Sequence, residues 1–481
     1  MFLWGAATQL RGLIDGGDYK QYIFPLLFFK RICDVYDEEF EKALKESDGD
    51  MEYAAFAEHH HFQVPAEAHW NRVRETTTNV GMALQEAMRA IEKANPDTLY
   101  GIFGDASWTN KDRLSDQTLT NLIEHYSQHK LSLSHVADDK LGNAYEYLIK
   151  EFADDSGHTA AEFYTNRTVV KLMTLIMDPQ PGESVYDPTC GSGGLLLNCA
   201  LHLKEEGKEY RTLKLYGQEI NLLTSAIARM NMFMHGIEEF SIVRGDTLAN
   251  PAFLHNDELK TFNVILANPP YSIKAWDQKS FANDPYGRNL WGLPPQGCAD
   301  YAFQQHIQKS LDAKNGRSIS LWPHGVLFRD SEAEMRRKMI EQDLVECVIG
   351  LGPNLFYNSP MEACLLVTKT NKEPHKKGKI LFINAVNEVK QEKTMGFLEE
   401  KHIEKIFGAY HKFESQEHFA ALKTIDEVIA NKGNMAISLY VQPEKNGDNP
   451  ILPFEEAFKN WEASGRNLKT SMSELFKILE N

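Results

Sequence analysis

Val185-Tyr-Asp-Pro-Thr-Cys-Gly-Ser-Gly-Gly194 is the stretch that decides the fold, because an apolar strand runs directly into a glycine-rich turn there. Helix formers follow at Leu195–Leu203. Glycines permit positive φ and let a ligand approach the backbone closely. The spacing is not GxGxxG and no Lys-Ser or Lys-Thr pair follows, so neither a dinucleotide site nor a P-loop is well supported. Asp187 before the turn suits a cationic or amine-bearing ligand, and a tight strand–helix connection without any ligand carries similar weight.

Short apolar runs alternate with helical patterns around this turn, between residues 156 and 370. Strands separated by helices are typical of a mostly parallel, doubly wound sheet. The last two runs are joined by a loop without a long helix, so the final strand is expected to run antiparallel. The seven predicted strands are Ser184–Tyr186, Leu213–Tyr216, Ser241–Val243, Asn263–Leu266, Ser318–Leu321, Leu344–Ile349 and Ala363–Val367. The predicted fold class is therefore α/β, with a Rossmann-like seven-stranded sheet.

The flanking parts of the chain have another character. The N-terminal part carries helix formers at roughly 3.6-residue spacing without strand-like alternation. The C-terminal part is polar and mixed, with helical pieces at Leu398–Tyr410 and Pro453–Leu479. The predicted domains are a helical N-terminal domain (1–155), a sheet-bearing domain (156–375) and a C-terminal extension with helices (376–481).

The net charge of −17 in 481 residues bears on the partners of the chain. A protein that holds DNA alone is expected to carry a basic footprint, since phosphate neutralisation supplies most of the non-specific affinity. Basic residues cluster only briefly here, at Arg336–Lys338 and Lys376–Lys379. Either the chain never touches nucleic acid, or a partner subunit supplies most of the DNA contact. Composition alone favours the first reading.

Cysteine usage and hydropathy indicate the compartment. The six cysteines are scattered without a CxxC pair, which favours a reducing cytoplasm and argues against zinc or a disulfide framework. The longest apolar run, Tyr22–Phe29, is too short to span a membrane, and the N-terminus has no basic leader, so we expect no secretion signal. His59-His-His61 is typical of a solvated surface run, and we expect no metal site.

Two further acidic residues follow predicted strands, where an open α/β sheet binds its ligands. Glu219 ends Gly217-Gln-Glu219 and could accept hydrogen bonds from ribose hydroxyls. Asp246, in Gly245-Asp-Thr247, could accept one from an adenine amine. Each signal is weak alone, because a carboxylate at a strand end, such as Glu219, is a common helix cap, and a surface turn is the likelier explanation for Asp246.

Asn268-Pro-Pro-Tyr271, directly after the apolar run Phe262–Ala267, is the strongest signal. Its two prolines fix the backbone and remove two amide donors, so the carbonyl groups there are left to accept. Asn268 adds a side-chain carbonyl and Tyr271 adds a flat aromatic face. Together they could hold a planar group that bears an amine. The alternative is a rigid turn that packs Tyr271 into the core.

These motifs, taken in order, resemble those of amino-methyltransferases that use S-adenosylmethionine. The upstream segment Ala161-Glu-Phe-Tyr-Thr-Asn-Arg167 is similar to the one that contacts the methionine end of the cofactor in DNA adenine methyltransferases, and its position before the glycine turn matches the gamma arrangement. The family usually has Gly and Pro where this chain has Ala161 and Asn166. The resemblance implies catalytic roles for Asn268, Pro269, Pro270 and Tyr271. It implies cofactor contacts for Glu162, Phe163, Tyr164, Thr165, Asp187, Thr189, Gly191, Ser192, Gly193, Gly194, Glu219 and Asp246.

The resemblance extends along most of the chain. Leu3–Gly12 and Tyr22–Asp34 look like the helical N-terminal domain of type I restriction-modification modification subunits, the HsdM family, and Leu141–Tyr147 resembles the stretch that joins it to the catalytic domain. Trp322–Phe328, Ile349–Leu351, Asn354–Tyr357 and Ile437–Val441 fit the same family. The resemblance implies double-stranded DNA as substrate, a specificity subunit flanked by two modification subunits, and a restriction subunit that joins them. The helical ends, 1–150 and 450–481, are the expected docking surfaces.

The implied chemistry is transfer of a methyl group to the N6 atom of an adenine flipped out of the duplex. The loop Ser272–Asp300 is long, and we expect it to form one wall of the DNA or base site, with a floppy surface insertion as the alternative. Asn-Pro-Pro-Tyr also resembles the motif of glutamine methyltransferases acting on release factors and of some RNA guanine methyltransferases. A catalytically idle scaffold of a DNA-binding complex is the remaining alternative.

Overall fold

The strand that precedes the glycine turn lies inside a large sheet. In the computed structural model of the chain, which describes residues 2–14, 16–155, 164–355, 362–392, 395–442, 458–459 and 461–466, nine strands form this sheet. They are β1 Ser184–Asp187, β2 Lys214–Glu219, β3 Phe240–Arg244, β4 Val264–Ala267, β5 Arg317–Pro323, β6 Val345–Leu351, β7 Ala363–Lys369, β8 Lys379–Ala385 and β9 Ala420–Thr424. Their order across the sheet is β9-β8-β6-β7-β5-β4-β1-β2-β3.

Most neighbouring strands run parallel, as the alternation of strands and helices predicts. β7 is antiparallel to both β5 and β6, which confirms the expected direction of the last predicted strand. β9 is also antiparallel to its neighbour β8. The predicted α/β class is confirmed, and all seven predicted strands are present.

The count of seven strands is too low, because β8 and β9 were missed. β8 contains the buried run Ile380–Ile383 and pairs in parallel with β6. Charged residues before it, such as Lys376–Lys379, made this region read as polar and mixed. The sheet therefore continues past residue 375, the predicted start of the C-terminal extension, and the three-domain division stays a prediction. Separately, the chain forms two compact units, Met1–Val441 and Gln442–Asn481.

Helices cover both faces of the sheet. Val264 and Leu266 pack with helices of one layer, whereas Ile265 and Ala267 pack with the other, so β4 is buried on both sides. The described helices are α1 Phe2–Leu10, α2 Lys20–Glu46, α3 Met51–Ala54, α4 Trp70–Arg74, α5 Val80–Ala94, α6 Pro96–Leu99, α7 Asp116–Ser127, α8 Asp138–Asp155, α9 Arg167–Met177, α10 Gly194–Glu205, α11 Leu222–Met234, α12 Gln278–Ala282, α13 Asp300–Lys309, α14 Ala333–Glu341, α15 Glu400–Lys412 and α16 Ile425–Ala430. None of these helices is long and apolar enough to cross a membrane.

The N-terminal part is helical, as predicted, and its core includes residues of α11 beside the sheet. The junction lies where α8 meets α11. The hydroxyl of Tyr145 donates to the carbonyl of Ile227 at 3.3 Å. Gly142 lets the two segments approach, since a Cβ there would lie 2.3 Å from the buried ring of His235. The stretch Leu141–Tyr147 thus joins the helical part to the sheet layer.

The Gly142→Ala variant is expected to lower the free energy of unfolding by about 1–3 kcal/mol, because the added methyl group overpacks this junction. Alanine normally stabilises a helix by up to about 1 kcal/mol relative to glycine. Gly408→Ala is the matched control, since Gly408 also lies in a helix but a Cβ there meets nothing within 4 Å. Denaturant unfolding gives the free energy of unfolding of both variants. Equal stabilisation of both would contradict the close approach of Gly142 to His235.

Candidate active site

A pocket lies at the carboxyl ends of β1 and β4. The strand order reverses between these two strands, because β2 and β3 extend the sheet on one side of β1 and β4 lies on the other side. Open α/β sheets bind their ligands at this place. Its lining includes the glycine turn, the segment that precedes α9 and the residue that follows β4. The lining residues are Thr165, Arg167, Asp187, Thr189, Cys190, Gly191, Ser192, Gly194, Leu195 and Asn268. Motifs separated by about a hundred residues thus meet in one place.

The glycine turn has a backbone that disfavours side chains. Gly191 and Gly193 adopt φ angles of +52° and +80°, in the left-handed region. A Cβ on Gly194 would lie 1.8 Å from Nη1 of Arg167, so the arginine packs directly onto the start of α10. Arg167 therefore occupies the space that a side chain at residue 194 would need, which requires glycine at this position.

Two carboxyl groups flank this turn. Asp187 is 1% exposed and accepts a hydrogen bond from the Thr189 N–H at 3.0 Å. Burial raises the pKa of Asp187 to about 8, and the charge of Glu219 adds to this rise. Glu219 accepts from the N–H groups of Gly191 at 3.1 Å and Asn221 at 2.8 Å. Asp187 thus presents an acidic group in the pocket, and Glu219 lies beside the lining through its bond to Gly191.

Asn268 projects toward this pocket, not into the apolar core. Its Nδ2 donates to Oγ1 of Thr165 at 3.0 Å, and its Oδ1 accepts from the hydroxyl of Tyr271 at 2.6 Å. Burial raises the pKa of Tyr271, so the hydroxyl stays protonated and donates. The ring of Tyr271 lies 6.5 Å from that of Trp322, centroid to centroid. Among the described residues, none donates a hydrogen bond to the carbonyl of Pro269.

Arg167 is a pocket residue that the sequence analysis did not single out. Its guanidinium lies 4.8 Å from the ring centroid of Tyr164 and forms an ion pair with Glu146 of α8. Glu146 also accepts from Nδ2 of Asn231 at 2.6 Å. The signal was present, because Arg167 ends the quoted segment 161–167, but its ion-pair partner Glu146 lies on a different helix.

The remaining predicted residues fall into three groups. Ser192 and Tyr164 are buried at or beside the pocket. Asp246 lies outside the pocket lining and caps its own turn, because its Oδ1 accepts from the N–H of Leu248 at 2.9 Å. Glu162 and Phe163 lie outside the described residues.

Asn166, which stands where the family usually has proline, has a structural explanation. It is 5% exposed, and its Oδ1 caps α9 by accepting from the Thr168 N–H at 3.1 Å. Its Nδ2 donates to the carbonyl of Gly396 at 2.9 Å. Proline could make neither side-chain contact. Asn166 thus links the segment before α9 to the part of the chain around Gly396.

The loop between Tyr271 and α13 is packed against the rest of the protein, contrary to a floppy insertion. The N–H of Ser272 donates to Oδ1 of Asp300 at 2.7 Å, and Asp300 is fully buried. Arg288, 2% exposed, donates to the carbonyls of Thr247 and Leu248, each at 2.8 Å. The loop is therefore tied both to its own end and to the turn after β3.

Other features of the described residues lie away from this pocket. All six cysteines are free thiols. Asp300 and Glu332 come together with Cys298 as possible metal ligands, but Arg329 pairs with both carboxylates and supplies the positive charge. A wider cavity opens at the amino ends of β2 and β3, beside Tyr210. That edge of a parallel sheet is not where ligands bind, so we assign the chemistry to the glycine-turn pocket.

Known proteins resemble this chain along nearly its full length. A type I restriction enzyme methylase subunit of Methanocaldococcus jannaschii is 28% identical, over 95% of this chain and 86% of its own length. One of Mycoplasma pneumoniae is 30% identical, over 92% and 89%. The crystal structure of a type I restriction-modification system methyltransferase subunit from Streptococcus thermophilus is 30% identical and covers 92% of this chain and 98% of that one, with a TM-score of 0.78.

Two family models account for almost all of the chain between them. The one described as HsdM N-terminal domain matches residues 1–126, a range that contains α1 to α6 and most of α7. The one described as N-6 DNA Methylase matches residues 136–449, which include the whole sheet and the pocket. The chain therefore belongs to the N-6 DNA methylase family and carries the N-terminal domain of its HsdM members.

Proposed function

We propose that this chain is the DNA-methylating subunit of a type I restriction-modification complex, which transfers a methyl group from S-adenosylmethionine to N6 of an adenine in double-stranded DNA. The observation that carries the proposal is the meeting of Asn268 with the glycine turn in one pocket. A methyl donor and an acceptor amine must lie in contact for the transfer, and holding both in one pocket supplies much of the acceleration.

The residues of the pocket fit S-adenosylmethionine. The turn at Gly191–Gly194 lets a ligand approach the backbone, because Gly191 and Gly193 have positive φ and carry no side chain. Asp187 offers a buried carboxyl to a positively charged group, and Glu219 keeps acceptor capacity for ribose hydroxyls. The exposed side chain of Ile220 adds an apolar surface beside Glu219. When bound, S-adenosylmethionine supplies an electrophilic methyl group on a sulfonium.

Asn268 and Pro269 would act on the adenine amine. The lone pair of that amine is delocalised into the ring, which makes it a poor nucleophile. Hydrogen bonds from its two N–H groups to Asn268 Oδ1 and the Pro269 carbonyl favour a pyramidal nitrogen that can attack. These acceptors are fixed in advance and face the positive charge that develops, the counterpart of an oxyanion hole. No strong base is needed first, because the proton becomes acidic only after the attack.

The adenine must leave the duplex to reach this pocket, at a cost of a few kcal/mol. Stacking on Tyr271 offsets about 1–3 kcal/mol of that cost. In the structure the hydroxyl of Tyr271 donates to Asn268 Oδ1, the atom that would accept from the adenine amine. The loop 272–300, tied down by Arg288 and Asp300, is our candidate for the wall of the base site.

The alternatives are less well supported. Glutamine and RNA guanine methyltransferases share the Asn-Pro-Pro-Tyr pocket chemistry, but the matches to type I methylase subunits run through the helical part as well. A catalytically idle scaffold would not need an intact amide at Asn268 or the glycine turn at Gly191–Gly194.

The partners follow from the same assignment. With a net charge of −17, the chain is suited to act with a specificity subunit that supplies most of the DNA contact. We propose that each specificity subunit binds two copies of this chain and that a restriction subunit joins the complex. This chain would dock onto its partners through residues 1–150 and 450–481. The six free cysteines fit action in the cytoplasm.

Asn268→Ala is expected to lower methylation at least about a hundredfold, because it removes a fixed acceptor. The dissociation constant for S-adenosylmethionine should stay close to that of the parent protein. Both are measured on the chain co-expressed with its specificity subunit, as N6-methyladenine formed and by calorimetry. Asn110→Ala, which deletes an exposed loop amide, is the matched control. Full methylation by Asn268→Ala would refute the assigned role.

Affinity for S-adenosylmethionine is expected to rise with pH toward about 8 and to level off above it. Asp187 binds a proton below its raised pKa of about 8, whereas a cationic ligand favours the ionised carboxyl, so binding releases a proton. The slope is at most about tenfold per pH unit. Calorimetry at several pH values on the parent chain and on Asp187→Asn isolates the contribution of Asp187. Any titration of the ligand itself affects both proteins equally. An identical pH dependence in the two proteins would contradict this role of Asp187.

A further inference from the structure

We propose that Thr165 positions the catalytic amide of Asn268, by accepting a hydrogen bond that keeps the amide oxygen directed toward the adenine. The inference rests on the proposed function and concerns a role separate from cofactor binding. Thr165 is thus a positioning residue that acts through Asn268.

The amide of Asn268 is held at both ends. Its Nδ2 donates to Thr165 Oγ1 at 3.0 Å, and its Oδ1 accepts from the Tyr271 hydroxyl at 2.6 Å. An adenine amine that enters the pocket competes with the Tyr271 hydroxyl for Oδ1. The bond to Thr165 involves the other end of the amide, so it can persist while the base is bound.

The direction of this bond matters for the chemistry. An amide turned by half a rotation would present Nδ2 to the adenine amine, and two donors cannot form a hydrogen bond with each other. The Thr165 hydroxyl can accept or donate, and in the productive orientation it accepts from the amide nitrogen while the adenine amine donates to the amide oxygen, so that both ends of the amide are bonded only in this orientation. A half-buried amide N–H without an acceptor loses a hydrogen bond, and the productive orientation avoids this loss as long as the hydroxyl is present.

Hydrogen bonds to the C-terminal part of the chain hold the segment that carries Thr165. The next residue, Asn166, caps α9 and donates to the carbonyl of Gly396 at 2.9 Å. A second tie joins the same segments, because the N–H of Leu398 donates to Oγ1 of Thr168 at 2.9 Å. The strand pair Lys390–Gln391 and Gly396–Phe397 therefore supports the wall that carries Thr165. Asn166 supplies here a support that the usual proline could not.

The decisive variant is Thr165→Val, which keeps the shape of the side chain and removes the acceptor. We expect kcat for N6-adenine methylation to fall roughly ten- to a hundredfold, while the calorimetric dissociation constant for S-adenosylmethionine changes less than about threefold. Thr165→Ser restores the acceptor and should recover most of the rate. If Thr165→Val disturbs folding, Thr165→Ala serves as the second variant. It also lacks the hydroxyl, without filling the space, and should show the same loss of kcat.

Thr370→Val is the matched control, because it also removes a hydrogen-bonded threonine hydroxyl, one that donates to the carbonyl of Asp312 at 2.9 Å at the opposite edge of the sheet. All variants are measured in the complex with the specificity subunit, with thermal unfolding alongside. A parental kcat in Thr165→Val and Thr165→Ala overturns the proposal, and so does an affinity loss as large as the rate loss. If Asn268→Ala methylates as well as the parent, the proposed function itself fails instead.

Discussion

The parallel pairing of β1 with β4 is the constraint on which the rest of the structure depends. Val185 lies opposite Val264 and Tyr186 opposite Ile265, so the two strands end side by side at the same edge. The glycine turn after β1 and the Asn-Pro-Pro-Tyr turn after β4 must therefore face one another. A shift of one residue in this register would turn the buried side chains of β4 to the wrong layers and displace Asn268 from the pocket.

Burial around this edge gives the pocket its chemical character. The carboxyl of Asp187 is almost fully buried, and this burial rather than any single charge raises its pKa. Arg167 brings a guanidinium to the opposite wall and leaves no room for a side chain at Gly194. The pocket lining thus includes a buried carboxyl and a guanidinium, which suit a ligand that carries charge. These features support S-adenosylmethionine more strongly than a nucleotide phosphate.

Local patterns in the sequence predicted much of this arrangement. The turn at 185–194 and the run before Asn268 each combine a buried strand with residues that fix the backbone, so both the fold class and the meeting of the motifs could be inferred. β8 was missed because its apolar run follows a lysine-rich segment. The contact between Asn166 and Gly396 could not be predicted, since 230 residues separate them and neither has a local signature. For Asp246 the sequence left two explanations open, and the structure gives its carboxylate a local capping bond, as the surface-turn explanation predicts.

The most direct measurement is a structure of the chain with its specificity subunit, duplex DNA and S-adenosylhomocysteine. Our account predicts the ligand against Gly191–Gly194 and a target adenine outside the helix, with its exocyclic nitrogen within hydrogen-bond distance of Asn268 Oδ1. A ligand bound instead in the wider cavity beside Tyr210, or a flipped base that does not contact Asn268, would contradict it.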